Sequence, residues 1–201
     1  KKGPFPVCSS DPSLKFPVKR LDGSTVPTRL VVYAPGNQVA HNQCRSVVDD
    51  CPLVVLLHAD WKDGNKDAYL EYEDLCKHLA SYGYVVASLD RYGAGIFDAD
   101  DVGQSWHQAL LRSFLLWIQN GNLGIVNIIT DQLVLIGHSG GGGAVAEVAN
   151  IVGDEPALAS WQLTSIVLMC PSVADPPGYV GRIRSFLGMH VATDTDLGTS
   201  G

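Results

Sequence analysis

The sequence has no long apolar run and no surplus of positive charge. Its longest apolar stretches, such as Leu53–Leu57, are far shorter than the roughly 20 residues with which a helix crosses a bilayer. The chain carries 14 Lys and Arg residues against 21 Asp and Glu residues, a formal net charge of −7. Because no basic stripe offsets phosphate charge, the composition argues against a nucleic-acid partner, and the short runs argue against a membrane span.

Metal-binding patterns are lacking as well. Neither a CxxC nor an HxxxH spacing occurs, which argues against a structural zinc site. The acidic run Asp98–Asp101 is predicted to complement a helix dipole at a helix N-terminus rather than to hold a metal. We therefore predict no metal and no other cofactor.

The cysteines are few, and one pair is close in the sequence. Cys44 and Cys51 flank a short polar loop, and a disulfide between them would staple that loop in an oxidising compartment. Two free thiols are the alternative. Cys76 and Cys170 are predicted to be buried small apolar residues. The chain begins without Met and without an apolar signal core, which suggests a processed start. We expect a secreted or extracytoplasmic location.

Length and periodicity predict one globular domain over residues 1–201. Of its 201 residues, 46% are apolar, enough for a substantial core. A hairpin is predicted first, followed by strands that alternate with helices, which indicates an α/β domain: a mostly parallel central sheet with helices on both faces. The predicted hairpin strands are Phe16–Leu21 and Thr28–Ala34; the later strands are Pro52–Leu57, Tyr84–Leu89, Gln132–Gly137, Thr164–Cys170 and Phe186–Ala192; the helices are Ala68–Tyr82, Ser105–Asn120 and Gly141–Ile151.

The segment Gly137–Gly141, with the sequence GHSGG, follows a predicted strand and precedes a predicted helix. A serine at such a turn has strained backbone geometry that only small neighbours tolerate. Ser139 is therefore the candidate nucleophile, and the N–H of Gly140, at the helix N-terminus, is a candidate oxyanion donor. The alternative is a glycine-rich turn in which Ser139 only caps the helix.

With this motif the chain resembles the α/β-hydrolase family. The segment Leu56–Trp61 resembles the family's strand that ends in an H-G-x loop, and the resemblance implies that Asp60 supplies a second oxyanion N–H. The segment Leu79–Asp90 resembles the family's helix and following strand. Together with Gly3–Val7, these segments most resemble the branch of chlorophyllases, dienelactone hydrolases and cutinase-like polyester hydrolases.

The family order is nucleophile, acid, histidine. The segment 186–194 resembles the family's strand that leads to the acid, which implies Asp194 in that role, with Asp196 and Asp175 as alternatives. No histidine follows His190, and none of the six matches the base. We expect that the last strand, the histidine loop and a helix are absent from this chain, so that the domain is C-terminally incomplete and a companion C-terminal polypeptide supplies the histidine. The alternative is a chain that is not a competent hydrolase.

Aromatic residues at predicted strand ends suggest a substrate wall. Trp61 and Tyr92 are candidates because ligands bind at the carboxyl ends of strands in open α/β sheets. His138, beside the candidate nucleophile, is a further candidate for substrate binding, and ordinary packing is the alternative for all three. The predicted function is a serine hydrolase that cleaves small-molecule or polymeric carboxylic esters through an acyl-enzyme. A catalytically silent binding domain and an acyltransferase are the alternatives.

Overall fold

The apolar runs of the sequence form the middle strands of a nine-stranded sheet, within the residues that the computed structural model describes: 2–20, 22–40, 43–59, 67–92, 104–124, 127–171 and 185–189. The strands are β1 (Val7–Ser9), β2 (Lys15–Lys19), β3 (Thr25–Ala40), β4 (Gln43–Ser46), β5 (Asp50–Leu57), β6 (Val85–Leu89), β7 (Asn127–His138), β8 (Leu163–Met169) and β9 (Ser185–Met189). The helices of these ranges are α1 (Glu73–Ala80), α2 (Gln104–Gln119) and α3 (Gly140–Asp154).

The sheet is parallel in its second half and antiparallel at its start. Its order is β1-β3-β6-β5-β7-β8-β9, and β2 and β4 also pair with β3. Strand β3 runs antiparallel to β6, whereas each neighbouring pair from β6 through β9 is parallel. Parallel strands need crossover helices, and these cover the sheet on both sides. The predicted α/β architecture with an N-terminal hairpin is confirmed.

Two apolar cores lie on opposite faces of the sheet. Helices α2 and α3 pack in the larger core through residues such as Phe114 and Val145. Helix α1 packs in the smaller core, where Cys76 and Ala80 are buried. Burial raises the pKa of the Cys76 thiol to about 12, so it behaves as the small apolar residue that the sequence predicts. None of the helices in the described ranges is long and apolar enough to cross a bilayer.

Some element boundaries differ from prediction. The helix predicted over Ala68–Tyr82 is split, because a 3-10 turn at Ala68–Leu70 ends before Tyr72, whose backbone is not helical. Strand β3 continues past its predicted end because it also pairs with β1 and β4, which are short and lack an apolar pattern. The predicted strand Phe186–Ala192 corresponds to β9, and its last residues lie outside the described ones.

The predicted disulfide is wrong in one partner: Cys44 is bonded to Cys8, and Cys51 is a free, buried thiol. Strands β1 and β4 both pair with β3, which brings the two Cα atoms to 5.8 Å. Gly36 of β3 lies under the bond, since a Cβ there would be 2.9 Å from the Cys8 sulfur and 2.8 Å from the Cys44 sulfur. The pairing thus depends on strand register rather than on closeness in the sequence.

Thiol counting tests this pairing. Unfolding without reductant should expose three reactive thiols, and peptide mapping should recover Cys8 joined to Cys44. Replacing both residues by alanine should lower the free energy of unfolding by about 4 kcal/mol, because the bond restricts a long loop of the unfolded chain. Reductant should destabilise the parent and leave the double variant unchanged. A peptide that joins Cys44 to Cys51 would contradict the assignment.

Candidate active site

The chain reverses direction sharply at Ser139, between β7 and α3. Ser139 has φ 51° and ψ −120°, a region that residues with a side chain rarely adopt. Its N–H donates to the carbonyl of Met169 at 2.8 Å, and its carbonyl accepts the N–H groups of Gly142 and Gly143 at 2.9 and 3.2 Å. The side chain is half-buried and makes no capping hydrogen bond to α3. The capping role considered as the alternative is therefore not what the hydroxyl performs.

Two glycines make this turn sterically feasible. A Cβ on Gly137 would overlap the carbonyl oxygen of Gly141. A Cβ on Gly141 would overlap the carbonyl oxygens of both Leu57 and His58, at the end of β5. The Gly137–Gly141 segment, which we name the Ser139 turn, thus touches the end of β5 through backbone atoms alone.

Of the two predicted oxyanion donors, the structure describes Gly140 but not Asp60. Gly140 is buried and is the first residue of α3, so its N–H has no acceptor within the helix. Asp60 lies outside the described residues. The N–H of the preceding residue, Ala59, donates to the Tyr72 hydroxyl at 3.1 Å and is not available to a substrate.

Several other predicted site residues lie outside the described ranges. They are Trp61 of the substrate wall, Asp194 and its alternatives Asp196 and Asp175. Within the described ranges, no group of three or more metal-ligating side chains could hold a metal ion.

His58 is a structural residue of the β5 exit, the name used here for His58 and Ala59. Its ring is completely buried, and its Nε2 accepts the backbone N–H of Arg91 at 2.9 Å. Because Nε2 accepts, the ring proton is on Nδ1, which lies 2.8 Å from the carbonyl oxygen of Ala59 and donates to it. The ring thus braces the loop and has no nitrogen free to act on a substrate.

Two predicted substrate-binding residues lie within the described ranges, His138 in the Ser139 turn and Tyr92 after β6, and each has a polar atom in a hydrogen bond. Nδ1 of His138 lies 2.7 Å from the Tyr72 hydroxyl. The half-buried Tyr92 follows β6, packs its ring 5.3 Å from that of His58, and accepts a hydrogen bond from Arg91 at 2.9 Å. Both rings can still contribute a face or an edge to a pocket wall.

A buried polar network that the sequence analysis missed connects the site to the helices. The Arg91 guanidinium donates to the carbonyl of His58 at 3.2 Å and meets Nε2 of His107, on α2, at 3.3 Å. Nδ1 of His107 lies 2.7 Å from a carboxylate oxygen of Glu147, on α3. The only local signal is a charged Asp90–Arg91 pair after an apolar strand, and it does not indicate these distant partners.

The protonation state of His107 follows from its neighbours. A guanidinium only donates, so Nε2 of His107 must accept, and the single proton sits on Nδ1 and is donated to Glu147. Burial lowers the pKa of His107, with the hydrogen bond to Glu147 opposing the shift and the charge of Arg91 adding to it. Burial also lowers the pKa of Arg91.

Comparison with known proteins finds a matching family model and several solved structures with a similar fold. A model of the alpha/beta hydrolase family matches residues 54–199. A dienelactone hydrolase-like promiscuous phosphotriesterase from metagenomic libraries is 16% identical, with 92% of this chain and 69% of that chain covered and a TM-score of 0.56. Esterase B from Lactobacillus rhamnosis is 21% identical, with 85% of this chain and 50% of that chain covered and a TM-score of 0.53.

A third similar structure is brefeldin A esterase, described as a bacterial homologue of human hormone sensitive lipase. It is 19% identical, with 84% of this chain and 41% of that chain covered and a TM-score of 0.52. The chain thus spans half or less of the length of the two esterases. At these identities the likeness shows a shared fold. A comparison with curated proteins found no match.

The His107 environment predicts a pH dependence of stability. Because its folded pKa is lowered, the unfolded state binds more protons below about pH 6.5, and stability present above that pH is lost as pH falls. Replacing His107 by Gln should flatten the fall in unfolding free energy below pH 6.5 by up to about 1.4 kcal/mol per pH unit. The exposed His78→Gln is the control and should keep the parent slope. Parallel curves for parent and H107Q would contradict the assignment.

The backbone contact of Gly141 predicts that a side chain at this position lowers the stability of the fold. Gly141→Ala should lower the free energy of unfolding by about 1–3 kcal/mol, because the Ser139 turn must move away from β5. Gly142→Ala is the matched control: its Cβ would lie 3.0 Å from Pro171, a milder contact than the overlap at Gly141, so a smaller loss of stability is expected. Urea unfolding of the two variants measures the difference. Equal stability of G141A and the parent would show that the contact is not required.

Proposed function

The chain belongs to the α/β-hydrolase family, and from this premise we propose that it is a serine hydrolase that cleaves carboxylic esters through an acyl-enzyme. The observation that carries the proposal is the backbone of Ser139. A positive φ at a residue with a side chain costs of order 1–3 kcal/mol and persists where the surrounding structure enforces it, commonly at functional sites. A hydroxyl that the helix does not use as a cap supports the same role.

The proposed reaction has two steps. In the first, a base removes the proton from Oγ of Ser139 while Oγ attacks the ester carbonyl carbon. The carbonyl oxygen becomes an oxyanion, which the N–H of Gly140 and the proposed N–H of Asp60 stabilise. The intermediate collapses, the alcohol departs with the proton, and the acyl group stays on Ser139. In the second step water attacks that acyl group by the same route and releases the acid.

We propose that the base comes from outside the described residues. His58 and His107 are buried with both ring nitrogens engaged, and His78 lies on α1 with its ring 5.1 Å from that of Tyr82. The ring of His138 is held at the Tyr72 hydroxyl. The acid is proposed to be Asp194, with Asp196 and Asp175 as alternatives.

The kind of ester that the protein cleaves and the compartment in which it is located are also proposals. A wall formed by Trp61, Tyr92 and His138 suits an ester with an apolar or aromatic acyl group, either small or polymeric. A disulfide between Cys8 and Cys44 favours a secreted or extracytoplasmic location, because such bonds persist in oxidising compartments.

A fluorophosphonate probe tests the nucleophile. It should label the parent at Ser139, and Ser139→Ala should abolish labelling and slow hydrolysis of a p-nitrophenyl ester at least about a thousandfold, because the acyl-enzyme can no longer form. Ser160→Ala, at an exposed serine after α3, is the control and should be labelled as the parent is.

The other outcomes separate the alternatives. A parent that stays unlabelled even together with its companion C-terminal polypeptide would overturn the serine mechanism and favour a silent binding domain. Labelling with transfer of the acyl group to an added alcohol in preference to water would indicate an acyltransferase.

A further inference from the structure

We infer that Tyr72 is a positioning residue whose hydroxyl holds the β5 exit and the Ser139 turn in register. The inference rests on the proposed serine hydrolase function. Tyr72 lies between the 3-10 turn at Ala68–Leu70 and α1. It is therefore outside the two sequence segments that predict the site, Gly137–Gly141 and Leu56–Trp61.

One oxygen atom joins the two loops. The Tyr72 hydroxyl accepts the N–H of Ala59 at 3.1 Å and lies 2.7 Å from Nδ1 of His138. Ala59 directly precedes Asp60, the proposed oxyanion donor, and His138 directly precedes Ser139, the proposed nucleophile. The hydroxyl therefore contacts the chain one residue before each of the two groups whose separation matters for the reaction.

The hydroxyl is itself held in place. Tyr72 occupies the N-cap position of α1, and that helix is anchored to the sheet through the buried Cys76 and Ala80. The Tyr72 ring packs at the edge of the smaller core and meets the His138 ring edge-on, with centroids 5.9 Å apart. Burial raises the pKa of Tyr72, so the phenol stays protonated and can donate to His138 while it accepts from Ala59.

The hydrogen bond from Ala59 to Tyr72 is one of two that hold the backbone of Ala59. The N–H of Ala59 is bound by Tyr72, and the carbonyl of Ala59 is bound by Nδ1 of His58. Tyr72 and His58 together therefore hold both polar backbone groups of Ala59, the residue directly before the proposed oxyanion donor.

Removal of the hydroxyl has a specific consequence. In Tyr72→Phe the N–H of Ala59, a residue only 5% exposed, would lose its acceptor, and the His138 ring would lose its anchor. The loop would relax toward another acceptor and change the position of the donor relative to the nucleophile. Misplacement of this kind weakens binding of the transition state more than binding of the ester.

The experiment compares Tyr72→Phe with Tyr69→Phe in p-nitrophenyl ester hydrolysis. Tyr69 is a matched control, since it is buried and its hydroxyl donates to the carbonyl of Pro12 at 2.8 Å. We expect kcat of Y72F to fall about 10- to 100-fold with KM within about twofold. Y69F should keep both constants, although its unfolding midpoint should also fall, because it loses the hydroxyl hydrogen bond to Pro12.

A double-mutant cycle provides a second measurement. If Tyr72 acts through His138, Y72F combined with His138→Phe should be no slower than the slower single variant, whereas independent residues would give multiplied losses. Amide exchange at Ala59 should also be faster in Y72F than in Y69F. Multiplied losses, or unchanged exchange, would overturn the inference.

The outcomes separate this inference from the proposed function. If the parent reacts with fluorophosphonate and Y72F keeps the parent kcat, the positioning role is wrong and the serine mechanism stands. If the parent, together with the companion polypeptide, is not labelled at Ser139, the proposed function fails and the positioning role fails with it.

Discussion

The Ser139 turn can lie against the end of β5 only because residue 141 has no side chain. The parallel register of β5 and β7 brings Leu57 opposite Gly137, so both strands end at the same level of the sheet. The carbonyls of Leu57 and His58 then occupy the space where a Cβ of residue 141 would lie. This contact sets how closely the two loops approach each other.

Backbone strain at Ser139 is tolerable because the elements on both sides are fixed. Its N–H is bound to β8 and its carbonyl to the first turn of α3, while β7 lies inside the parallel sheet. A cost of order 1–3 kcal/mol is small beside the apolar burial of those elements. The rigid sheet thus holds one residue in a conformation that its local sequence would not choose.

The strands and helices were predictable where burial follows a local sequence pattern. The strand Pro52–Leu57 was predicted from its continuous apolar, β-branched run, and the helix that begins beside Ser139 from its content of Ala and Val. The Cys8–Cys44 bond was not, because it depends on the register of two short polar strands against β3. The contact between His107 and Glu147 joins residues 40 positions apart on two helices, and no local pattern contains it.

The β5 exit is held from both faces of the sheet. Tyr72 reaches Ala59 from the side of the smaller core, whereas Arg91 reaches the carbonyl of His58 and continues to His107 on α2, in the larger core. The guanidinium acts here as a set of directed donors, to the carbonyl of His58, Nε2 of His107 and the hydroxyl of Tyr92. Because hydrogen bonds are directional, the hydrogen bonds of Tyr72 and Arg91 fix the position of the β5 exit relative to elements that pack in both cores. A loop outside the sheet thereby acquires the positional precision that the proposed reaction would require.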